Sequence, residues 1–195
     1  MVNGREHHFR AARHPDNIPT MHEISHGLAH INRYYGQTLR TYSVAEHSLL
    51  VADLFEQLFT AEPMAVLAAL MHDAHECVCG DVSTPVKAEI GDAWYAFESR
   101  QQDNLLWGFG LTKTFEQHAK AIKHCDLVAL ATERRDLTPF NPEFNTPWAV
   151  IDAGKAIAPA EHINLTKRSR ISAFNWARSF ENRALALLKK AGKVA

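Results

Sequence analysis

Residues 71–81, with the sequence MHDAHECVCGD, place two histidines and three carboxylates directly after the apolar run AVLAAL. Burying such groups without partners is costly, so they reach solvent, pair with one another or hold a metal ion. Asp81 follows Gly80, at a point where the chain must turn. We expect His75, which falls between Asp73 and Glu76, to face solvent or the mouth of a cleft.

Two residues from other parts of the chain complete a candidate metal site. His47 falls one turn inside a capped helix, His72 and Asp73 are adjacent on the next helix, and Asp126 interrupts the later apolar stretch CDLVALA. Two imidazoles and two carboxylates suit a single divalent ion such as Mn²⁺, Co²⁺, Fe²⁺, Ni²⁺ or Zn²⁺, and the ligand types do not select among them. Ligands on three helices are typical of a site inside a helical bundle.

Periodic apolar spacing predicts the helices that carry these residues. Ser43 followed by Glu46 is a capping-box signature, Pro63 suits a first turn, and glycines suit helix ends. Strand signals are weak outside AVIDA, so the prediction is an all-α, single-domain bundle. The predicted helices cover residues 22–36, 43–59, 61–78, 92–110, 112–137 and 170–192, and Thr84-Pro85 begins a short segment at residues 84–90.

Two segments lack this periodicity. Residues 1–21 are polar and rich in histidine and predict an N-terminal arm, which leaves residues 22–195 as the folded domain. Residues 138–165 contain four prolines and no clear period, which is typical of a lid or binding loop.

Composition narrows the classes of function. The formal net charge is −1, so no bulk positive field draws the chain to nucleic acid or to a membrane surface. The first residues lack the apolar core of a signal peptide, no run is long enough to span a bilayer, and three cysteines form no disulfide framework. We therefore expect a soluble cytoplasmic protein with a small-molecule substrate.

The order His47, His72-Asp73, Asp126 resembles the H…HD…D signature of the HD-domain metal-dependent phosphohydrolases. The stretches YSVAEHS, LMHDAHECVCGDVSTPVK and CDLVALATERRDL extend the resemblance over about residues 22–137. They are similar to the branch that contains bacterial 5′-deoxynucleotidases and phage HD-domain enzymes that remove dATP. The resemblance implies an HD-type helical bundle that holds one divalent metal ion.

The resemblance also implies roles for residues beyond the four metal ligands. Glu76 matches the proposed acid or base, and its alternative role is as the hydrogen-bond partner of His72. Asp81 matches the residue that orients the attacking water, and Arg33 matches an arginine that contacts the substrate phosphate. Lys87 is a second phosphate candidate. Tyr34 or Tyr35 stacks on the base, or the two tyrosines belong to the core or to an interface. Arg134 and Arg135 match the family pattern, or they form ion pairs between α-helices.

The expected function is a divalent-metal phosphohydrolase of deoxynucleotides, first of all a 5′-deoxynucleotidase that releases nucleoside and phosphate. A triphosphohydrolase that releases triphosphate from dATP is the alternative, and a nucleotide-binding regulatory protein without turnover is another. The apolar faces of the helices at residues 92–110 and 170–192 either form an interface in a homo-oligomer or complete the core.

Overall fold

The computed structural model describes residues 1–11, 13–168 and 171–193, and its regular structure is helical. Within these residues the only β pairing is an isolated bridge between Asn32 and Ser43. The predicted all-α fold is confirmed. The α-helices are α1 (Met21–His30), α2 (Val44–Leu58), α3 (Pro63–Leu70), α4 (Glu76–Cys79), α5 (Thr84–Ile90), α6 (Asp92–Gly108), α7 (Thr112–Leu137), α8 (Ala149–Asp152) and α9 (Ala173–Lys190).

Side-chain caps fix where the helices around the site begin. The Ser43 hydroxyl accepts the Glu46 N–H at the start of α2, as the sequence predicts. The Glu46 side chain does not close the predicted capping box, because both of its carboxylate oxygens accept hydrogen bonds from Arg40. Pro63 occupies the first turn of α3, where its missing N–H is no loss.

Helices α2 and α3 form the centre of a single bundle. α2 packs against α3 and α7, while α1 and α3 both contact α9. Every residue of α3 from Ala65 to Leu70 is buried, which is typical of a helix with neighbours on all sides. Large buried side chains such as Phe55 and Phe180 belong to one continuous apolar core.

Three local predictions are wrong. The helix predicted for residues 22–36 ends at His30. After the extended residues Ile31 and Asn32, residues Arg33–Gly36 form a tight turn in which Tyr34 and Tyr35 have positive φ values. The helix predicted for residues 61–78 is interrupted by turns at residues 71–75, so its last part is the separate helix α4. The AVIDA stretch, which gave a weak strand signal, contains α8.

The first residues of the chain lie against the helices. The Arg5 guanidinium donates to the Glu23 carboxylate at 2.8 Å, and the His7 Nε2 atom lies 3.1 Å from the Gln101 side-chain oxygen. The boundary between an arm and a domain at residue 21 stays a prediction. Arg170, where the last predicted helix begins, and residues 194–195 of the predicted domain lie outside the described residues.

Among the described residues, no helix combines the length and the apolar composition that crossing a membrane requires.

Candidate metal centre

The fold brings together the four side chains that the sequence marks as metal ligands. His47 is on α2, His72 and Asp73 are in the turns after α3, and Asp126 is on α7. The Nε2 atom of His47 lies 3.3 Å from His72 Nε2, 3.4 Å from Asp73 Oδ2 and 3.3 Å from Asp126 Oδ1. His72 Nε2 and Asp73 Oδ2 are 3.1 Å apart.

Hydrogen bonds fix the orientation of both imidazoles. The second nitrogen of His72, Nδ1, lies 2.9 Å from the carbonyl oxygen of Ala69, which can only accept, so Nδ1 carries the hydrogen. The Nδ1 atom of His47 is 2.5 Å from the carboxylate of Glu133 and is bonded in the same sense. Each ring thus directs Nε2 to the shared point, as in metal-bound histidines whose other N–H is held by protein oxygen. Glu76 is therefore not the partner of His72, which decides against that alternative.

The spacing of these atoms fits a divalent ion. Ligand atoms about 2.1 Å from a metal in tetrahedral or octahedral geometry are separated from one another by about 3.0–3.4 Å. The measured separations of 3.1 to 3.4 Å match this range. His47, His72 and Asp73 each offer a ligand atom within 4.8 Å of the other two, and Asp126 contacts His47.

The charges of the cluster favour a cation at its centre. Burial raises the pKa of Asp126 and Asp73, but the two imidazoles outweigh that effect and hold both pKa values below their usual range. Burial and Arg33 oppose protonation of His47, yet Glu133 and the two aspartates raise its pKa well above the ordinary value. Carboxylates thus draw positive charge to this point of the molecule.

Glu133 is a buried partner of the candidate ligand His47 that the sequence reasoning missed. Its carboxylate is fully buried and accepts hydrogen bonds from His47, from the hydroxyls of Tyr34 and Tyr42, and from Arg33. The pKa of Glu133 is lowered because Arg33 and His47 outweigh the effect of burial. Asp126 and Glu133 are seven residues apart, which is about two helical turns, so both lie on one face of α7. This spacing was the signal in the sequence that could have identified Glu133.

Two further carboxyl groups, Glu76 and Asp81, interact electrostatically with Asp73 and Arg33. Glu76 is the first residue of α4 and is 3% exposed. Burial raises its pKa well above the usual value, and the neighbouring charges of Asp73 and Asp81 raise it further. Burial also raises the pKa of Asp81, which Arg33 partly offsets. Gly80, between the two residues, turns the chain with a φ of 82°.

Arg33 contacts Glu133 and faces the candidate centre. Its Nε and Nη2 atoms are each 3.2 Å from Glu133 Oε2. Nη1 faces Asp73 Oδ2 at 3.8 Å, which is longer than a hydrogen bond. Tyr34 donates its hydroxyl to Glu133 at 2.7 Å, and its ring centroid lies 6.0 Å from that of Trp148. Arg33 thus has one nitrogen directed to the centre, whereas the polar end of Tyr34 is occupied.

Lys87 and His75 are grouped around Glu98 on α6. The Lys87 ammonium is 2.5 Å from the Glu98 carboxylate, and His75 Nε2 is 3.7 Å from the same oxygen. His75 is buried, so its predicted place at the solvent or cleft mouth is wrong. His75, Glu76 and Glu98 also bring potential ligand atoms within 4.8 Å of one another, but the Lys87 cation already neutralises Glu98.

Arg134 and Arg135 fasten the segment at residues 138–165 to α7. Arg134 makes two hydrogen bonds to the carboxylate of Asp152 on α8 and lies over the ring of Phe140 at 4.3 Å. Arg135 donates to the carbonyl oxygens of Ala160 and Ile163. The ion-pair and anchoring interpretation fits these contacts.

A cavity of ≈160 Å³ opens beside the centre, between α6 and α7. The ligands His72, Asp73 and Asp126 line it, together with Phe115 and Lys123. The Lys123 ammonium lies 2.7 Å from Asp126 Oδ2, and its side chain is 61% exposed. The cavity therefore offers room and a positive charge next to the candidate metal position.

Comparisons with known proteins give relatives but no family profile. No protein-family model matches this chain. An uncharacterized protein of Rhodobacter capsulatus is 40% identical over 147 residues, which span 69% of this chain and 74% of the relative. The uncharacterized protein YfdR of Escherichia coli is 32% identical, over 75% of each chain. The 5′-deoxynucleotidase YfbR of Shigella flexneri is 35% identical over 103 residues, 42% of this chain and 51% of the relative.

Proposed function

Because this chain belongs to the YfdR- and YfbR-like branch of the HD-domain family, we propose that it is a divalent-metal-dependent phosphohydrolase of deoxynucleotides. The reaction we propose is that of a 5′-deoxynucleotidase, which cleaves a monophosphate to nucleoside and phosphate. The name of YfbR supports this choice of reaction, although YfbR matches this chain over only part of its length.

The observation that carries the proposal is the grouping of His47 Nε2, His72 Nε2 and Asp73 Oδ2 at separations of 3.1 to 3.4 Å. Asp126 Oδ1 joins this group through His47 Nε2, which lies 3.3 Å away. His47, His72, Asp73 and Asp126 would hold the ion. When bound, a divalent ion polarises phosphoryl oxygens and lowers the pKa of water near it.

Arg33 binds the phosphate in this proposal. A guanidinium suits phosphate because its planar set of donors matches the oxygens of the anion. Glu133 occupies Nε and Nη2, which leaves Nη1 directed to the centre. Arg33 thereby brings a buried positive charge to the phosphate without needing to reorganise.

Glu76 supplies the proton for the leaving 5′-oxygen. A carboxylic acid donates a proton near neutral pH only if its pKa is raised, and burial together with Asp73 and Asp81 raises the pKa of Glu76. Asp81 orients the attacking water in this proposal, as the family resemblance implies. Lys87 contributes only if it leaves its ion pair with Glu98.

A dATP triphosphohydrolase is the second candidate, and Lys123 is the observation that favours it. A triphosphate requires basic groups and room beyond the metal, and Lys123 lines the cavity that adjoins Asp126. The Lys123 ammonium bonds Asp126 Oδ2, whereas Asp126 Oδ1 faces His47, so Lys123 can stay beside an ion held by Oδ1. The monophosphate reaction requires no such additional charge.

The test is an end-point assay on dAMP and dATP side by side, with Mn²⁺ or Co²⁺ added and the products resolved by chromatography. We expect deoxyadenosine and orthophosphate from dAMP. Triphosphate released from dATP would replace the first candidate by the second. Absence of product with all bases and metals would contradict both and favour a regulatory protein without turnover.

Variants separate chemistry from metal binding. Glu76→Gln is expected to keep its metal content and to lower kcat by roughly 10²- to 10⁴-fold, the usual contribution of a general acid. Asp73→Ala is expected to lose both metal and activity. Glu89→Gln, an exposed position on α5, is the matched control and should behave as the unmodified chain. Full activity of Glu76→Gln would exclude the role proposed for Glu76.

A further inference from the structure

The outer face of α1 carries three histidines at intervals of four residues, His22, His26 and His30. Residues four apart are neighbours on one side of a helix. The ring centroids of His26 and His30 are 4.3 Å apart, and those of His22 and His26 are 6.3 Å apart. This face is separate from the candidate metal centre, whose ligands lie on α2, on α7 and after α3.

The orientation of His30 is already that of a metal ligand. Its Nδ1 atom lies 2.8 Å from the carbonyl oxygen of His26, and because a carbonyl only accepts, Nδ1 carries the hydrogen. The lone pair is therefore on Nε2, at the outer end of an exposed ring. A backbone carbonyl that holds the other N–H is the usual arrangement of a metal-bound imidazole.

One electrostatic feature favours a cation at this place. His30 is the last residue of α1, and the C-terminal end of a helix attracts positive charge. His22 is turned instead to α9, where its Nδ1 lies 3.3 Å from the Glu181 carboxylate.

We propose that His26 and His30 chelate a second divalent transition-metal ion at the surface of α1, with water in the remaining coordination positions. Two histidines four residues apart on a helix are an established zinc-binding pair in proteins. Imidazole ligands without a carboxylate favour Cu²⁺, Ni²⁺ and Zn²⁺ over Mn²⁺.

The pair can be tested directly on the untagged full chain by titrating Ni²⁺ in calorimetry. The candidate centre takes up Ni²⁺ as well, because histidine-carboxylate sites bind Ni²⁺ more tightly than Mn²⁺. We therefore expect the unmodified chain to bind one equivalent of Ni²⁺ more than a variant that lacks the pair. Replacing either ligand, by His26→Asn or His30→Asn, turns the chelate into a single contact and should weaken this equivalent by on the order of 100-fold.

Controls tie the result to the pair. His162→Asn removes an exposed histidine whose ring contacts Gln57, and it should leave the titration unchanged. Because the candidate centre also offers two imidazoles, bound Cu²⁺ should give two signals in the unmodified chain, and His26→Asn should change only one of them. Equal Ni²⁺ binding by the unmodified chain and both ligand variants, or an equal loss in His162→Asn, would overturn the proposal.

The outcome is independent of hydrolysis. His26→Asn and His30→Asn should retain the Mn²⁺-supported activity of the unmodified chain, if the chain is a hydrolase. If it is not, the Ni²⁺ equivalent is still expected. Failure of one proposal is therefore distinguishable from failure of the other.

Discussion

Replacing Glu133 by glutamine tests whether one buried carboxylate holds the candidate centre together. The carboxylate accepts hydrogen bonds from His47 at 2.5 Å, Tyr34 at 2.7 Å and Tyr42 at 3.0 Å, and from Arg33 at 3.2 Å. All of these partners are donors in their present roles. Glutamine has the same shape but presents one acceptor and one N–H₂ group, so its amide hydrogens would meet donors.

The cost follows from these contacts. A buried donor without a partner costs about 1–3 kcal/mol, and removing one charge of a buried ion pair costs about 3–5 kcal/mol. Asp73 remains near Arg33 as a second carboxylate in Glu133→Gln. We therefore expect the free energy of unfolding to fall by about 3 kcal/mol, the lower end of the range for a broken buried ion pair. Loss of the anionic partner of His47 Nδ1 should also weaken metal binding by roughly 10- to 100-fold.

Urea unfolding measures the first quantity, and competition with a chelator of known affinity measures the second. Tyr42→Phe is the matched control, because it removes one hydrogen bond to Glu133, worth about 1 kcal/mol, and leaves the charge. Its metal affinity should stay near that of the unmodified chain. Should Glu133→Gln not fold, Glu133→Asp keeps the charge and shortens its reach. Normal metal affinity in both Glu133→Gln and Glu133→Asp would refute the argument.

Two further predictions concern the packing of α1. The pKa of Glu23 is lowered, because hydrogen bonds from Thr20 and Arg5 outweigh the effect of burial. The ionised Glu23 carboxylate therefore stabilises the fold above its unfolded pKa of about 4.3, and this stabilisation is lost as the pH falls below that value. Arg5→Ala should therefore lower the free energy of unfolding by about 1 kcal/mol at pH 7, and by progressively less below about pH 4, in urea titrations at both pH values. The second prediction concerns Gly27, where an added Cβ would lie 3.0 Å from the Cβ of Cys77 on α4. The steric conflict in Gly27→Ala should lower the free energy of unfolding by about 1–3 kcal/mol. The better helix propensity of alanine offsets about 1 kcal/mol of this loss. Because α4 begins at Glu76, kcat should fall as well, and unchanged stability and kcat would contradict this packing argument.

Local chemistry explains why much of the fold was predictable. Periodic apolar spacing and a terminal signal such as Ser43 or Pro63 act within one or two turns, and the helices that they predict are present. Ligand types are also local, so His47, His72 and Asp126 could be proposed as candidate ligands from sequence. The turns at residues 71–75 could not be predicted, because no helix-ending residue separates the apolar run from the polar segment that follows it. Only the geometry of the candidate centre requires the helix to end there.

The end of α1 is the clearest case of structure set by distant residues. Ile24, Leu28, Ile31 and Tyr35 continue a helical spacing, yet the helix ends at His30, and Tyr34 and Tyr35 have φ values of 56° and 53°. Such left-handed conformations cost about 1–2 kcal/mol for each non-glycine residue. The neighbouring Arg33 and the Tyr34 hydroxyl are both bonded to Glu133, about a hundred residues later in the chain, and these buried bonds offset the cost. The carboxylate that orients His47 therefore also holds the Arg33 segment out of the helix that its own sequence favours, and no local pattern contains that information.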